Sequence, residues 1–273
     1  MSNISSLVKK HDFHFSKKYG QNFIGDAVLL EGIVDDAQIG SEDVVLEIGP
    51  GAGTLTKALC NRAKKVIAYE IDKSLEPVLN DTLKGVDNVE IIFADVMEVS
   101  EEEIKSVTGG KFKIVANLPY YITTPILFKF LSSSLDIESI TVMVQKEVAE
   151  RICASNKTSD YGALTVSVGV RSKAQYMRTV LRDMFTPPPA VDSAIVRMDI
   201  KKRSDVSSYE KLDALIKSAF LMKRKTLVNN LSPYWNKSKS EVGEILQSVG
   251  ISATARAEEL SFDQFVILAN LQL

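Results

Sequence analysis

Five short apolar runs recur at near-regular intervals through the first half of this 273-residue chain, at 44–48, 66–71, 89–93, 112–116 and 140–144. They limit its fold more than any other feature. Each is too short for a helix core and rich in β-branched residues, so each reads as a buried strand. Helical stretches fill the gaps, among them 54–62 and 74–83. Strands alternating with helices imply a parallel sheet, because parallel neighbours need a crossover and the crossovers cover both faces. Ahead of the first strand, Val28, Leu29, Ile33, Val34 and Ala37 have helical spacing that Gly40 breaks. Further on, 163–169, 174–180 and 194–199 look strand-like, so the sheet is expected to end in antiparallel strands.

The pattern changes near residue 200. Lys201-Lys202-Arg203-Ser204-Asp205 is a polar linker, and beyond it Leu212, Leu215, Ile216 and Ala219 recur at helical spacing. Val242, Ile245 and Leu246, then Phe262, Phe265, Val266 and Ala269, suggest two more helices. The chain therefore divides into an arm at 1–25, extended or short, an α/β domain at 26–202 and a small all-α domain at 203–273. With 45% apolar and 25% charged residues it is no disordered polymer. No apolar run approaches the roughly 18 residues that cross a bilayer. The first 15 residues lack a signal-peptide core. Two cysteines, Cys60 and Cys153, make no disulfide framework, which suits a reducing cytoplasm. His11 and His14 stand three apart, but with no further histidine the expectation is solvated side chains and no metal.

Four motifs sit where strands end. Glu47-Ile48-Gly49-Pro50-Gly51-Ala52-Gly53 joins the first strand to a helix. Glycines such as Gly49 and Gly51 let a backbone turn sharply and approach a ligand, although an ordinary tight turn needs them too. The Gly-x-Gly-x-Gly spacing departs from the dinucleotide fingerprint. Glu70, 21 residues after Gly49, can accept hydrogen bonds from ribose hydroxyls. Asp95, after the third strand, can meet an adenine amino group or simply cap a helix. Asn117-Leu118-Pro119-Tyr120 follows the fourth strand. Asn117 offers an amide oxygen, Pro119 forces an extended geometry that can turn carbonyls toward a ligand, and Tyr120 adds a ring. Together they can hold a planar amino-bearing heterocycle; the plainer reading is a proline turn over a buried tyrosine.

Taken jointly, 47–56, Glu70, Asp95 and 117–120 resemble the motifs of S-adenosylmethionine-dependent rRNA adenine N6-dimethyltransferases. So do Lys17-Lys18-Tyr19-Gly20-Gln21-Asn22-Phe23, the proline loop at 185–194 and Met222-Lys223-Arg224-Lys225-Thr226-Leu227-Val228-Asn229-Asn230-Leu231. The likeness covers nearly the whole chain. It departs at Ala190, where many relatives carry a basic residue. The resemblance implies a Rossmann-like class I methyltransferase sheet with a small C-terminal helical domain. It implies S-adenosylmethionine as cofactor, with S-adenosylhomocysteine as product, held by Asn22, Ile24, Gly49, Gly51, Glu70, Asp95 and Asn117. Asn22 and Ile24 rest on the resemblance alone. Asn-Leu-Pro-Tyr favours the branch that dimethylates two adjacent adenosines in the 3′-terminal hairpin of 16S rRNA, within the immature 30S subunit. The enzyme is then a cytoplasmic monomer with no membrane partner.

In that chemistry the adenine amine is a poor nucleophile, because its lone pair is delocalised into the ring. The Asn117 oxygen and a backbone carbonyl near Pro119 would accept its two N–H groups and aim the lone pair at the methyl. The base must leave its stack, and Tyr120 and Phe185 could sandwich it. The alternative for Phe185 is a core aromatic. A DNA adenine methyltransferase, a nicotinamide dehydrogenase and a non-enzymatic subunit-assembly factor are the competing classes. Overall charge, 33 basic against 35 acidic groups, argues against a basic nucleic-acid binder. By segment it does not. Residues 41–110 hold 7 basic and 14 acidic groups, whereas 201–230 hold 8 and 3. Lys223, Arg224 and Lys225 are either a solvated helix end or phosphate contacts for RNA.

Overall fold

The computed structural model describes residues 4–13, 15, 19–201 and 203–272. His14, Lys17, Lys18 and Lys202 lie outside the described residues. The chain forms two compact units, Met1–Ala149 with Gln175–Ile200, and Glu150–Ala174 with Lys201–Leu273. The sequence reading placed all of 26–202 in one domain. The structure draws the division differently, because Tyr161, Val166 and Val170 belong to the core built by the later helices.

The first unit begins with a short helix α1 (Ile4–Lys10) and a two-residue strand β1 (Phe23–Ile24). There follow α2 (Ala27–Asp36), β2 (Val44–Ile48), α3 (Thr54–Cys60), β3 (Lys65–Glu70), α4 (Glu76–Thr82), β4 (Val89–Phe93), α5 (Glu101–Thr108), β5 (Phe112–Asn117), α6 (Thr123–Leu131) and β6 (Ile137–Gln145). After α7 (Lys146–Ile152) and α8 (Ala163–Gly169) come β7 (Ser172–Val180), β8 (Phe185–Thr186) and β9 (Ser193–Ile200). The five expected strands are β2 to β6. They form the parallel part of a seven-stranded sheet of order β4-β3-β2-β5-β6-β9-β7, to which β9 adds antiparallel. From β2 the chain winds outward through β3 and β4, then returns to place β5 on the other side. The switch in winding direction therefore lies between β2 and β5, where open α/β sheets leave a crevice at the carboxyl ends of their strands.

Val45, Leu46, Val66 and Ile67 are fully buried, because helices cover both sheet faces. Each such side chain contributes about 1.5–3 kcal/mol relative to an exposed one. On one face Val45, Val66 and Val115 pack with Leu30, Ile33 and Leu59.

The arm is not an extended lead-in. Phe13 and Phe23 join a core with Leu75, Val78 and Leu79. Their rings and that of Phe15 lie 5.3–6.1 Å apart. Lys10 and His11 both reach Asp81, at 2.6 and 2.9 Å. The aromatic residues supply the apolar area that anchors an otherwise polar segment. β1 then pairs antiparallel with β8, Ile24 opposite Phe185.

The second unit contains α8, α9 (Tyr209–Ala219), α10 (Leu227–Trp235), α11 (Lys239–Ser248) and α12 (Phe262–Ala269). Residues 163–169, expected as a strand, are the helix α8. The alternating Thr165-Val166-Ser167-Val168 misled because all four side chains are buried, so periodicity no longer marks one face. Packing on neighbouring helices overrides the β-propensity of the valines. Gly169 closes that packing: a Cβ built on it would lie 2.2 Å from the Phe262 ring. Tyr161 stacks on Phe262, and its hydroxyl donates to the Leu260 carbonyl at 2.7 Å. Arg171 grips both carboxylate oxygens of Asp213. Among the described residues, no helix is long and apolar enough to cross a membrane.

Candidate active site

At the carboxyl end of β2 the chain turns through Gly49, Gly51 and Gly53, all with positive φ (69°, 57° and 78°). The positive φ favours glycine at all three, but their surroundings differ. A Cβ on Gly49 would meet no protein atom within 4 Å, so the backbone there faces open space. A Cβ on Gly51 would lie 2.8 Å from the Phe23 ring of the arm. The loop is thus bare on one side and pressed against β1 on the other. Thr54, first residue of α3, donates its hydroxyl to the Ile24 carbonyl at 2.6 Å, fastening arm to loop.

The arm, the glycine loop, Glu70 and 117–121 together line a solvent-open cleft of about 770 Å3. Asn22 and Ile24 are on its wall, as are Gly49, Gly51, Asn117, Pro119 and Tyr120. Glu70 accepts backbone N–H groups from Gly51 at 3.1 Å and Asp72 at 2.8 Å. Burial raises its carboxyl above the usual range, and those two donors oppose the rise. A second compartment opens from the same loop. Gly49, Ile71, Pro119 and Tyr121 line both spaces, and the second adds Asp95, Val96, Met97 and Ile126. Asp95 Oδ1 accepts the Met97 N–H at 2.9 Å, leaving Oδ2 as its remaining acceptor. The lining of this compartment is mainly apolar, with the Asp95 carboxyl among it.

Asn117 is fixed by the arm. Its Nδ2 donates to the Asn22 carbonyl at 2.9 Å, which assigns the amide orientation and leaves Oδ1 as an acceptor. The Pro119 carbonyl, a candidate second acceptor, is already used. It accepts from Ile122 N at 3.2 Å and Thr123 Oγ1 at 3.1 Å. Both of its lone pairs are committed to starting α6. The adjacent Leu118 lines the same wall, which makes its carbonyl a candidate second acceptor; Leu118 N itself donates to Met143 O at 3.1 Å. Tyr120 is held by its hydroxyl, 2.7 Å from Ser193 Oγ at the start of β9. Burial raises its phenol above the ordinary value, so it stays neutral.

Phe185 departs from the sequence reading. Its ring is 3% exposed and packs with Ile24, Ile33, Met143 and Ile195. The residue pairs with β1 and is absent from the cleft wall. An aromatic before a proline loop carries no sequence mark separating a stacking platform from a core residue; here it is buried and also borders an open pocket with Pro188 and Pro189. Lys223, Arg224 and Lys225 occupy the exposed turn between α9 and α10 in the helical unit. Lys223 Nζ donates to Ser159 O at 3.3 Å.

Sequence reasoning missed Ile71, Tyr121 and the carboxyl of Glu47. Ile71 is an exposed apolar residue directly after an acidic strand end. Tyr121 is 60% exposed beside a second tyrosine. An apolar residue directly after an acidic strand end is the signal that could have found Ile71. Among the described residues, no group of three His, Cys, Asp or Glu is placed to hold a metal ion.

Comparison with known proteins bears on this geometry. The family described as ribosomal RNA adenine dimethylase matches residues 12–272. A Clostridioides difficile (strain 630) protein named Ribosomal RNA small subunit methyltransferase A is 41% identical over 269 residues, covering 97% of this chain and 93% of its own length. A Bacillus cereus (strain AH187) protein of the same name is 43% identical over 272 residues, with the same coverage. Among solved structures, a dimethyladenosine transferase from Plasmodium falciparum aligns with a TM-score of 0.77 and 29% identity, over 91% of this chain and 97% of that one. The 23S rRNA methyltransferase ErmE aligns with a TM-score of 0.70 and 28% identity, over 91% and 98%.

Proposed function

We propose that this chain, which belongs to the ribosomal RNA adenine dimethylase family, transfers two methyl groups to N6 of each of two adjacent adenosines in 16S rRNA. The small-subunit name shared by its curated relatives supports 16S over 23S rRNA as substrate. The substrate form is the 3′-terminal hairpin within an immature 30S subunit, and the enzyme acts as a cytoplasmic monomer. The carrying observation is the pinned Asn117 amide, whose free oxygen shares one cleft with the Leu118 carbonyl and the glycine loop.

S-adenosylmethionine fits the residues present. The loop is bare at Gly49, and a buried carboxyl oxygen of Glu47 on the same wall has no hydrogen-bond partner. Glu70 would accept from its ribose hydroxyls, Asp95 Oδ2 would meet its adenine amino group, and Ile71 would cover the ring. Asn22 and Ile24 would close the wall from the arm. When bound, it supplies an activated methyl on a positively charged sulfur.

The protein's own part is positioning. Two acceptors, Asn117 Oδ1 and the Leu118 carbonyl, take hydrogen bonds from the two N–H groups of the target amine. This draws the lone pair out of ring conjugation and aims it. The nitrogen is acidic once alkylated, so its proton needs no strong base, and neither Asn117 nor neutral Tyr120 is one. Holding the reactants in line contributes much of the acceleration. Tyr120 offers a ring face to the extruded base, and stacking of this kind is worth about 1–3 kcal/mol. Lys223, Arg224 and Lys225 would neutralise rRNA phosphates.

The test is direct. Unmethylated 30S subunits are incubated with the protein and methyl-labelled cofactor, and the label is mapped. Label confined to two adjacent adenosines of the 3′-terminal hairpin is expected. Label elsewhere, or on DNA in preference to subunits, rejects the assignment.

A further inference from the structure

The turn between α9 and α10 carries more than its three cations. Leu221 and Met222 directly precede Lys223, Arg224 and Lys225, and they are 70% and 41% exposed. The residues on either side turn inward. Phe220 stacks on Phe265, with ring centroids 5.8 Å apart, and Leu227 is fully buried. The turn between them is fastened from beneath. Asn230, itself buried, donates Nδ2 to the carbonyls of Ala219 and Met222 at 2.6 and 3.3 Å. Leu221 N donates to Ser218 O at 3.2 Å, and Lys225 N to Met222 O at 2.9 Å. Lys223 reaches across to the Ser159 carbonyl. A backbone held at these points presents its side chains in a fixed arrangement. Folding gains little from two apolar side chains left in water, since only burial makes each worth about 1.5–3 kcal/mol.

Charge decides what covers them. Residues 214–240 hold six basic and no acidic groups. A second copy docked through the same turn would set three cations against three, and like charges oppose that contact. An anionic polymer meets them instead. In RNA the apolar surface is the face of a base, and a side chain reaches it where the nucleotide is unpaired. We infer that Leu221 and Met222 form an apolar platform for an unpaired rRNA base, while Lys223, Arg224 and Lys225 hold the phosphates beside it. The inference rests on the rRNA reading above and adds to it a contact that is not electrostatic. An apolar contact releases no counterions, so it strengthens binding equally at every salt concentration. Phosphate contacts instead steepen the salt dependence.

The experiment measures binding to unmethylated 30S subunits over a range of KCl concentrations. Leu221→Ser combined with Met222→Ser should weaken binding about tenfold at every concentration and leave the log–log slope unchanged. Arg224→Ala should instead lower the slope by about 0.7–0.9. The double variant should lose affinity for a short single-stranded RNA and keep it for the duplex of the same sequence. Its urea midpoint should match wild type, because both side chains already stand in solvent. Unchanged subunit binding by the double variant overturns the proposal. So does a lowered midpoint, a changed slope in the double variant, an unchanged slope in Arg224→Ala, or equal loss toward single strand and duplex. Flotation of the wild-type protein with phosphatidylserine vesicles, abolished by the double variant, assigns the platform to a membrane surface and overturns it. A dimer in sedimentation that the double variant dissolves does the same. In each of these outcomes the wild-type protein still methylates subunits, and the methyltransferase reading stands. Wild-type protein that neither binds nor methylates subunits overturns that reading, and this proposal with it.

Discussion

Glu47 in the sheet unit and Asn230 in the helical unit are buried alike, at 1% and 2% exposure, and each leaves one oxygen without a hydrogen bond. They serve different ends. Asn230 Nδ2 donates to the carbonyls of Ala219 and Met222, at 2.6 and 3.3 Å, and so closes the C-terminal end of α9. Its amide is a structural tie. Glu47 has the Thr56 hydroxyl beside its carboxyl, leaves Oε2 without a hydrogen bond, and lines a cleft. Asn230 buries polarity to join helices, and Glu47 buries it beside a ligand space. Charge divides the same way. Acidic groups outnumber basic ones over residues 41–110 of the sheet unit, and Lys223, Arg224 and Lys225 stand exposed on a helical turn.

Substitutions can break this contrast. The largest effect is expected at Asn117. Asn117→Ala should cut methyl transfer by about three orders of magnitude while S-adenosylmethionine binding, followed by calorimetry, changes little. Near-normal turnover would remove Asn117 from the chemistry. Glu47→Gln comes next, through stability. The acid titrates near 8 when folded against 4.5 unfolded, so the folded state binds its proton more tightly. Its stabilising contribution is whole below pH 4.5 and is lost as pH rises through 8. At pH 9 the neutral glutamine should therefore be more stable than wild type by about 5 kcal/mol in urea unfolding. Parallel pH–stability curves for the two proteins would show that Glu47 is already ionised without ligand.

In the helical unit, Gly169→Val forces a side chain into the Phe262 ring and should cost about 2–3 kcal/mol. Calorimetric scanning reads this directly, and a loss below about 1 kcal/mol would mean that α8 can shift freely. Phe185→Leu should cost about 1 kcal/mol and lower donor binding and methyl transfer by equal factors, as suits a core residue. Selective loss of transfer at unchanged stability would return the ring to the target base. The smallest effect on the free protein is expected from Lys223, Arg224 and Lys225, each changed to alanine. Stability should move by less than about 0.5 kcal/mol. The log–log salt slope of RNA binding should nevertheless fall by about 2. An unchanged slope would make this turn an ordinary solvated surface.

The sheet was legible because buried parallel strands are written as short continuous apolar runs, and all five appear near their expected positions. Glycine loop, Glu70, Asp95 and Asn117 were legible because parallel strands deliver their carboxyl ends to one edge. What escaped depends on partners distant in sequence. Helix α8 is written in strand-forming residues, and only its burial on later helices makes it a helix. The arm is polar by composition, and three aromatic rings determine where it lies. Pro119 and Leu118 could not be told apart as acceptors until the turn into α6 showed which carbonyl was spent. Glu47 read as part of a glycine motif; its missing hydrogen bond exists only in three dimensions.

The bond from Asn117 to the Asn22 carbonyl spans 95 residues. A growing polypeptide extends at about 5–20 residues per second. The arm and glycine loop therefore wait several seconds for the strand that carries the reactive amide. Until β5 pairs beside β2, residue 22 has nothing to orient and the cleft lacks a wall. A chain stalled before residue 117 can display the whole glycine motif and still be chemically silent, so the motif acquires its reactive wall only once β5 has been made.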